Sequence, residues 1–371
     1  MSGHLYIQPL TCIGAPQAAD GDALRLAGGL VYAREFAVTL SRDGETVQRD
    51  LVTAHEMLAA LARLPDQLGA EAQEQWSNLQ LAHPPLVCGN RTIRLDQPQV
   101  MGILNVTPDS FSDGGRFQAE PNAAADHAAS MLEAGAAIID IGGESTRPGA
   151  APVWEGDEIA RILPSVERCV AMGAAVSIDT RRAAVMESAL GAGVHILNDV
   201  SALRHDPRSL EVAAASGRPV ILMHAPGSDA DLHAGARYTN VLFEIFDWLR
   251  TARDRAIAGG VERRRIILDP GIGFGKSLAE NLALLNGLAL FHALGQPLLL
   301  GASRKRTIGA LSGEAAPDRR LGGSLTMAIA GMQAGVQLLR VHDVFETVQA
   351  RNVWRGLRDA ALSDFAGLPA N

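Results

Sequence analysis

The clearest pattern in the chain begins near residue 97, where short apolar runs rich in β-branched residues alternate with longer Ala- and Leu-rich segments of helical periodicity. This alternation is typical of a parallel sheet covered by helices. Eight such units in roughly 270 residues favour an α/β fold, a (β/α)8 TIM barrel, over a doubly wound sheet. The predicted strands are Val100–Leu104, Ala137–Ile141, Ala175–Ile178, His195–Leu197, Pro219–Met223, Ile266–Leu268, Leu298–Leu300 and Gln337–Val341.

The first 85 residues have a different pattern and are predicted to form a small N-terminal α+β appendage, whose role the sequence does not reveal. Its strand-like segments lie near Leu5–Gln8 and Glu35–Leu40, and its helix-like segments near Thr53–Arg63 and Ala70–Leu81. The Pro84–Pro85 pair marks a plausible boundary between the two parts.

The second predicted domain, residues 86–371, opens with a short hairpin before the barrel itself. Its strands are Leu86–Cys88 and Thr92–Leu95, which turn on Gly89–Asn90. We expect this hairpin to plug the bottom of the barrel.

Composition narrows the possible functions. With 47% hydrophobic and 20% charged residues in 371, the chain can bury a large core, which excludes disordered and fibrous classes. A net charge of -8 gives no electrostatic footprint for nucleic acid or an anionic membrane, so local basic residues must hold any anionic substrate.

Cys12, Cys88 and Cys169 lack disulfide or zinc-site spacing. With no signal peptide and no apolar run of ~18 residues, we expect a soluble, cytoplasmic protein.

Polar residues follow the predicted strands with unusual regularity. Barrel active sites lie at the C-terminal ends of the strands, so we expect the chemistry there. A single polar residue at such a position would be an ordinary loop or cap residue, but here every strand end carries one. The residues are Asn105, Asp140, Asp179, Asn198–Asp199, His224, Asp269, Ser303–Arg304–Lys305 and His342.

Five segments carry the candidate chemistry. Residues 105–115 are polar, turn-rich and long enough for a lid, and residues 142–149 combine Arg147, hydroxyls and glycines suited to an anion grip. The Asp269–Lys276 loop fits neither P-loop nor Rossmann glycine spacing and is interpreted as a loop covering a ligand. Basic residues at Ser303–Arg306 and Arg340–Asp343 follow strands seven and eight, where barrels commonly bind phosphate.

The chain contains seven ordered blocks, NVTPDSFSDGG, ESTRPG, SIDT, NDVSA, LDPGIGFGK, GASRK and RVHDV, across about residues 97–345. They resemble the signature blocks of the dihydropteroate synthase family. The resemblance implies a pterin-binding TIM-barrel transferase of folate biosynthesis, usually a homodimer formed through late helices. Such an enzyme joins 6-hydroxymethyl-7,8-dihydropterin pyrophosphate to para-aminobenzoate, with Mg²⁺, and releases pyrophosphate. Sulfonamides would compete with the aminobenzoate.

The resemblance also implies roles for individual residues. The pterin pocket would contain Asp179, Asn198, Met223, Asp269, Phe274 and Lys305. Asn105 would contact magnesium, and Thr146, Arg340 and His342 would hold the pyrophosphate. The aminobenzoate pocket would be built by Phe111, Arg147, Pro148 and Ser303, with Asp113 closing over the reacting centre. Asp179, Lys305 and Asp113 are therefore the predicted catalytic residues, and no classical acid–base pair is expected.

Two other functions stay open at this point. A pterin-dependent methyltransferase of the corrinoid-linked type would share the barrel and the pterin-binding aspartate and asparagine, but would not need the basic residues after strands seven and eight. A non-catalytic pterin-binding paralogue is compatible with the N-terminal segment. Trp154 departs from the family pattern, which has a smaller residue beyond the ESTRPG block.

Overall fold

Eight parallel strands form the centre of the computed structural model, which describes residues 3–14, 22–42, 45–106, 123–145, 153–227 and 232–361. The strands are β9 (Gln99–Asn105), β10 (Ile138–Gly142), β11 (Val176–Asp179), β12 (Ile196–Asp199), β13 (Val220–Met223), β14 (Ile266–Asp269), β15 (Leu299–Leu300) and β16 (Leu338–Val341). Neighbours pair in the order β14-β13-β12-β11-β10-β9-β16-β15. A parallel bridge between Leu268 and Leu298 joins the two ends. The predicted TIM barrel is confirmed, with all eight strands in place.

Helices follow each strand and cover the outside of the barrel. They are α3 (Ala123–Glu133), α4 (Glu155–Ala171), α5 (Ala183–Gly191), α6 (Ser209–Ser216), α7 (Val241–Ala258), α8 (Leu278–Asn286), α9 (Arg306–Leu311), α10 (Leu321–Gln333) and α11 (Val344–Ala361). A 3-10 turn, Leu288–Leu294, precedes β15. Within the described ranges, no helix is both long and apolar enough to span a bilayer.

The floor of the barrel is an apolar layer made by side chains at or near the start of each barrel strand. The layer consists of Met101, Ile138, Ala175, Ile196, Ile221, Ile267, Leu299 and Leu338. Four side chains of the hairpin β7 (Leu86–Cys88) and β8 (Arg91–Ile93) region pack against it from below: Leu86, Cys88, Ile93 and Leu95. The hairpin therefore plugs the barrel as predicted, and the open end is left to the strands' C-termini.

The N-terminal segment contains two small antiparallel sheets and two helices. The first sheet is β1 (His4–Pro9), β5 (Glu35–Arg42) and β6 (Glu45–Thr53), and the second is β2 (Cys12–Ile13), β3 (Leu24–Arg25) and β4 (Tyr32–Ala33). The helices are α1 (Met57–Leu61) and α2 (Asp66–Gln80). Sequence patterning missed β6 because nearly all of its residues are exposed, so it has no alternation of apolar and polar positions. The helix predicted over Thr53–Arg63 is correspondingly shorter.

This segment packs directly on the outside of the barrel. The Tyr6 ring stacks on Phe243 of α7 at 4.0 Å between centroids, and its hydroxyl donates to Asp247 Oδ2 at 2.6 Å. The Asn78 side chain of α2 donates to the carbonyl of Ala293 at 2.9 Å. The two parts share one hydrophobic core, while the domain boundary at residue 85 stays a prediction.

The Tyr6 contact yields a test of this shared packing. Tyr6→Phe removes a hydrogen bond to a carboxylate but keeps the stacked ring, so we expect the free energy of unfolding of the whole chain to fall by about 1–2 kcal/mol. Tyr32→Phe, in half-buried β4, is the matched control and should change it by less than about 0.5 kcal/mol. Urea unfolding followed by circular dichroism measures both. A loss confined to a separate early transition would contradict the shared core.

Candidate active site

The polar lining of the barrel results from the two-residue period of its strands. Side chains two positions apart in a strand point to the same face, so the residue two after an apolar floor residue also points inward, one layer higher. In this upper layer the chain places Asp140, Asn198, Asp269 and Arg340, which follow Ile138, Ile196, Ile267 and Leu338. Polar side chains therefore converge at the barrel's C-terminal end.

Arg340 is the central cation of this layer. Its Nε donates to Asp140 Oδ2 at 2.6 Å, and its Nη2 donates to Asp179 Oδ2 at 2.7 Å. The Nδ2 of Asn198 also donates to Asp140 Oδ2, at 3.2 Å. Four predicted strand ends are thus linked by hydrogen bonds. Asp140 lies at a predicted strand end but outside the predicted set of site residues, although its inward register is a signal that the sequence contains.

Burial shifts the pKa of several of these groups towards the neutral form. Burial raises the pKa of Asp179 to about 7, an effect that Arg340 opposes and Asp140 reinforces. Burial also raises the pKa of Asp269, although the Gly271 N–H donates to its Oδ1 at 2.7 Å. Burial and the nearby Arg340 lower the pKa of Lys305 to about 8, so its ammonium still predominates at neutral pH. Burial therefore disfavours the charged forms of these groups, and the hydrogen bonds and charges of a bound polar ligand could compensate for this cost.

The loop after β14 needs its glycines for backbone reasons. Gly271 and Gly275 have φ of +70° and +57°, and an added Cβ would lie 1.9 Å from the His224 carbonyl oxygen and 2.4 Å from Pro226. Lys276 closes the loop by donating from Nζ to the carbonyl oxygens of Gly271 and Phe274, at 2.7 and 3.1 Å. The loop thus folds back on itself beside His224, just after β13, and its interpretation as a ligand cover stays a prediction.

An apolar wall borders the polar layer. Met223 and Phe274 are buried in a small cluster of their own with Val200, Ala225 and Leu232. The Lys305 Nζ lies 4.2 Å from the centre of the Phe274 ring, a cation–π distance. Lys305 and Lys276 are the only lysines of the chain, and both lie at this site. A flat, partly polar ring would find an apolar face here and hydrogen-bonding groups around its edge.

The turn after β15 separates its basic residues. Arg304 has φ of +57°, which is unusual for a residue other than glycine, and its Nε donates to Asp343 at 3.1 Å. Ser303 and Lys305, on either side, face the barrel end, where Ser303 Oγ lies 3.1 Å from His342 Nδ1. Of the predicted basic run, Arg306 begins α9 and is exposed. Of the basic residues predicted after strands seven and eight, Lys305 and Arg340 therefore supply cationic groups to the site.

The start of the loop after β10 is anchored by ion pairs. Glu144 accepts from Arg181 at 3.0 Å and from Arg182 at 2.9 Å, and Arg182 also contacts the buried Glu158 at 2.5 Å. Trp154, where the family pattern has a smaller residue, precedes α4 with a largely exposed side chain. The network fixes this loop at its base.

Comparisons with known proteins agree with this geometry. The sequence model of the family described as "Pterin binding enzyme" matches residues 101–342. The dihydropteroate synthase of Escherichia coli is 44% identical over 263 residues, covering 71% of this chain and 92% of that protein, and the Neisseria meningitidis enzyme is 43% identical over 273 residues, covering 72% and 96%. A Xanthomonas albilineans dihydropteroate synthase structure with 4-aminobenzoic acid superposes with a TM-score of 0.70 at 43% identity, covering 78% of this chain and 100% of that one. A Yersinia pestis enzyme with a sulfonamide drug gives the same TM-score and identity, covering 74% and 99%.

The chain belongs to the dihydropteroate synthase family of pterin-binding enzymes. It is accordingly a transferase of folate biosynthesis.

The site residues that this family pattern predicts fall into two groups. The structure gathers ten of them at the barrel's C-terminal end: Asn105, Asp179, Asn198, Met223, Asp269, Phe274, Ser303, Lys305, Arg340 and His342. The other five, Phe111, Asp113, Thr146, Arg147 and Pro148, lie outside the described residues. The roles predicted for all fifteen residues in the dihydropteroate synthase reaction stay predictions.

The oxygen atoms near Asn105 suit a magnesium ion held mainly by a substrate. Asn105 ends β9, and its Oδ1 lies close to Gly142, beside Asp179. Within the described ranges, no cluster of three or more His, Cys, Asp or Glu side chains could hold a metal unaided. Mg²⁺ takes one or two protein oxygens when phosphates and water fill the remaining positions, so Asn105 fits such a site.

The raised pKa of Asp179 predicts a specific dependence of stability on pH. Because the folded-state pKa, about 7, exceeds the ordinary 3.8, the carboxyl stabilises the fold fully below pH 4, and this contribution is lost as pH rises through 7. Asp179→Asn stays neutral at every pH and should be more stable than wild type by about 1–3 kcal/mol at pH 8, with no difference at pH 4. Thermal unfolding at both pH values measures this. The exposed Asp318→Asn is the control, and a pH-independent difference for Asp179→Asn would refute the assignment.

Proposed function

We propose that this chain condenses 6-hydroxymethyl-7,8-dihydropterin pyrophosphate with para-aminobenzoate to give 7,8-dihydropteroate and pyrophosphate. The observation that carries the proposal is the convergence of Asp179, Asn198, Asp269, Lys305 and Arg340 beside the Met223–Phe274 wall. We also propose a cytoplasmic location, since Cys12, Cys88 and Cys169 are free thiols, which persist in reducing compartments.

The pterin ring and the upper layer have complementary hydrogen-bonding groups. The 2-amino group and adjacent ring N–H of a pterin form a fork of donors, which a buried carboxylate such as Asp269 accepts. The ring carbonyl is an acceptor suited to the Lys305 ammonium, and the ring face is suited to Phe274. Pterin binding would offset part of the cost of burying these groups.

The reaction separates charge along the bond that breaks. As the bond from the pterin methylene to the pyrophosphate oxygen lengthens, positive charge develops on the carbon and negative charge on the leaving oxygen. Asp179 would stabilise the first, and Arg340 and His342 the second. The aniline nitrogen then forms the new C–N bond and releases a proton. Because this amine is neutral at pH 7, no strong general base is required.

Magnesium, when bound at Asn105, would neutralise phosphate charge and help the pyrophosphate leave. The aminobenzoate would bind outside the pterin, where Ser303 lies beside His342. Phe111, Arg147 and Pro148 are predicted from the family pattern to belong to that outer pocket, and the predicted loops 105–115 and 142–149 would exclude water that could capture the cation. We also propose that sulfonamides compete with para-aminobenzoate for this outer pocket.

A direct assay tests this function and the basic site together. Purified chain is given the dihydropterin pyrophosphate and Mg²⁺, with or without para-aminobenzoate, and pyrophosphate release is measured. Sustained release should require aminobenzoate, and Lys305→Ala should lower kcat/KM by roughly 100-fold, since about 3 kcal/mol of charge-assisted contact is lost. Arg319→Ala, which removes an exposed cation two residues before α10, is the matched control.

The non-catalytic alternative gives a different result in this assay. Pterin pyrophosphate that binds without any pyrophosphate release would identify a non-catalytic paralogue. Release that does not depend on aminobenzoate, or equal activity of wild type and Lys305→Ala, would refute the proposed chemistry.

The late helices support a homodimer as the working form. The apolar side chains Leu311, Phe345, Val353 and Leu357 are all more than half exposed on α9 and α11. Burying such a surface against a second copy is favourable by ~25 cal/mol per Å². We expect sedimentation to give twice the 39.1 kDa chain mass, and Phe345→Ser to weaken association at least tenfold. Leu58→Ser, at an equally exposed site on α1, should have no effect; a monomeric wild type would refute the homodimer.

A further inference from the structure

Asp140 is the one member of the upper-layer hydrogen-bond network that no part of the proposed reaction uses. Its side chain is 0% exposed, whereas those of Arg340 and Asp179 are 19% and 12% exposed. A group so enclosed cannot contact a substrate, but its Oδ2 accepts from both Arg340 and Asn198. We propose that Asp140 is a positioning residue that sets the orientation of Asn198 and Arg340 for the pterin and its pyrophosphate. This inference rests on the proposed function.

The first consequence concerns the amide of Asn198. A carboxylate accepts hydrogen bonds and cannot donate them, so only the Nδ2 of Asn198 can face Asp140, at 3.2 Å. The amide oxygen must then point the other way, where it can accept only from a donor. Asp140 thereby commits Asn198 to recognising an N–H group on the ligand, such as those of the pterin ring.

The second consequence concerns Arg340. Asp140 binds the guanidinium through Nε at 2.6 Å, while Asp179 binds Nη2 at 2.7 Å. Two carboxylates on two edges hold the plane of the guanidinium, and pre-organised charge costs no reorganisation when the leaving group develops charge. Without Asp140, the arginine would be held from one side only.

This arrangement costs stability. Asp140 and Asp179 share one guanidinium, and the buried Oδ1 of each has no hydrogen-bond partner among the described residues. A buried oxygen without a hydrogen-bond partner is unfavourable for folding. The pairing of Asp140 and Asp179 with one arginine is therefore better explained by function than by stability. Asp140→Asn keeps the volume and leaves Arg340 with Asp179 as a balanced pair. The variant should therefore melt at the same temperature as wild type or higher.

The experiment compares stability and binding in the same full-length proteins. Calorimetric titration uses 6-hydroxymethyl-7,8-dihydropterin, which reports on Asn198, and inorganic pyrophosphate with Mg²⁺, which reports on Arg340. Asp140→Asn should weaken both at least tenfold without lowering the melting temperature. Ser177→Ala is the matched control, because Ser177 lies directly across from Asp140 in the sheet and is equally buried. In an Asn198→Ala background, Asp140→Asn should change pterin affinity by less than about threefold.

The possible outcomes separate the two proposals. Unchanged affinities in Asp140→Asn, or affinities that fall only together with the melting temperature, overturn the positioning role and leave the proposed function standing. An undiminished effect in the Asn198→Ala background also overturns it, because Asp140 would then not act through Asn198. A wild-type chain that binds neither pterin nor pyrophosphate overturns the proposed function and this inference together.

Discussion

The alternation of side chains along a β-strand is the constraint on which the rest of this structure depends. Because successive side chains point to opposite faces, each barrel strand has only two or three inward positions. In this chain the lower ones are apolar and form the floor with the hairpin, and the upper ones include Asp140, Asn198, Asp269 and Arg340. A shift of one residue in any strand would move its polar group into the helical layer. The floor, the plug and the site are therefore set by one register.

The same register concentrates charge where water is scarce. Burial raises the pKa of Asp179 even though Arg340 is in contact with it. Burial also lowers the pKa of Lys305, although its ammonium lies over the Phe274 ring. These side chains stabilise the fold less than apolar groups of the same size would, which is the usual relation between stability and function at binding sites. Stability comes instead from the apolar layers and from the N-terminal segment, which adds Tyr6 and α2 to the shared core.

The sequence predicted the barrel, its eight strands, the plug and most of the described site, because buried parallel strands have a strong apolar signal and the polar residues follow at a fixed spacing. It missed β6, whose exposed residues have no periodic pattern, and it did not assign Asp140 to the site. The role of Asp140 depends on which atoms face Arg340 and Asn198, and strand spacing does not encode contacts between distant strands. The opposite orientations of Arg304 and Lys305 likewise follow from one backbone angle.

The most direct test of the central claim is a crystal structure of the full-length chain with a non-hydrolysable dihydropterin pyrophosphate analogue. The account predicts that the ring edge is hydrogen-bonded to Asp269 and Asn198, the ring face lies beside Phe274, and the phosphates point towards Arg340 and His342. A pterin bound elsewhere on the chain, or one whose edge contacts neither Asp269 nor Asn198, would contradict the claim that the inward register of the strands builds the pterin site.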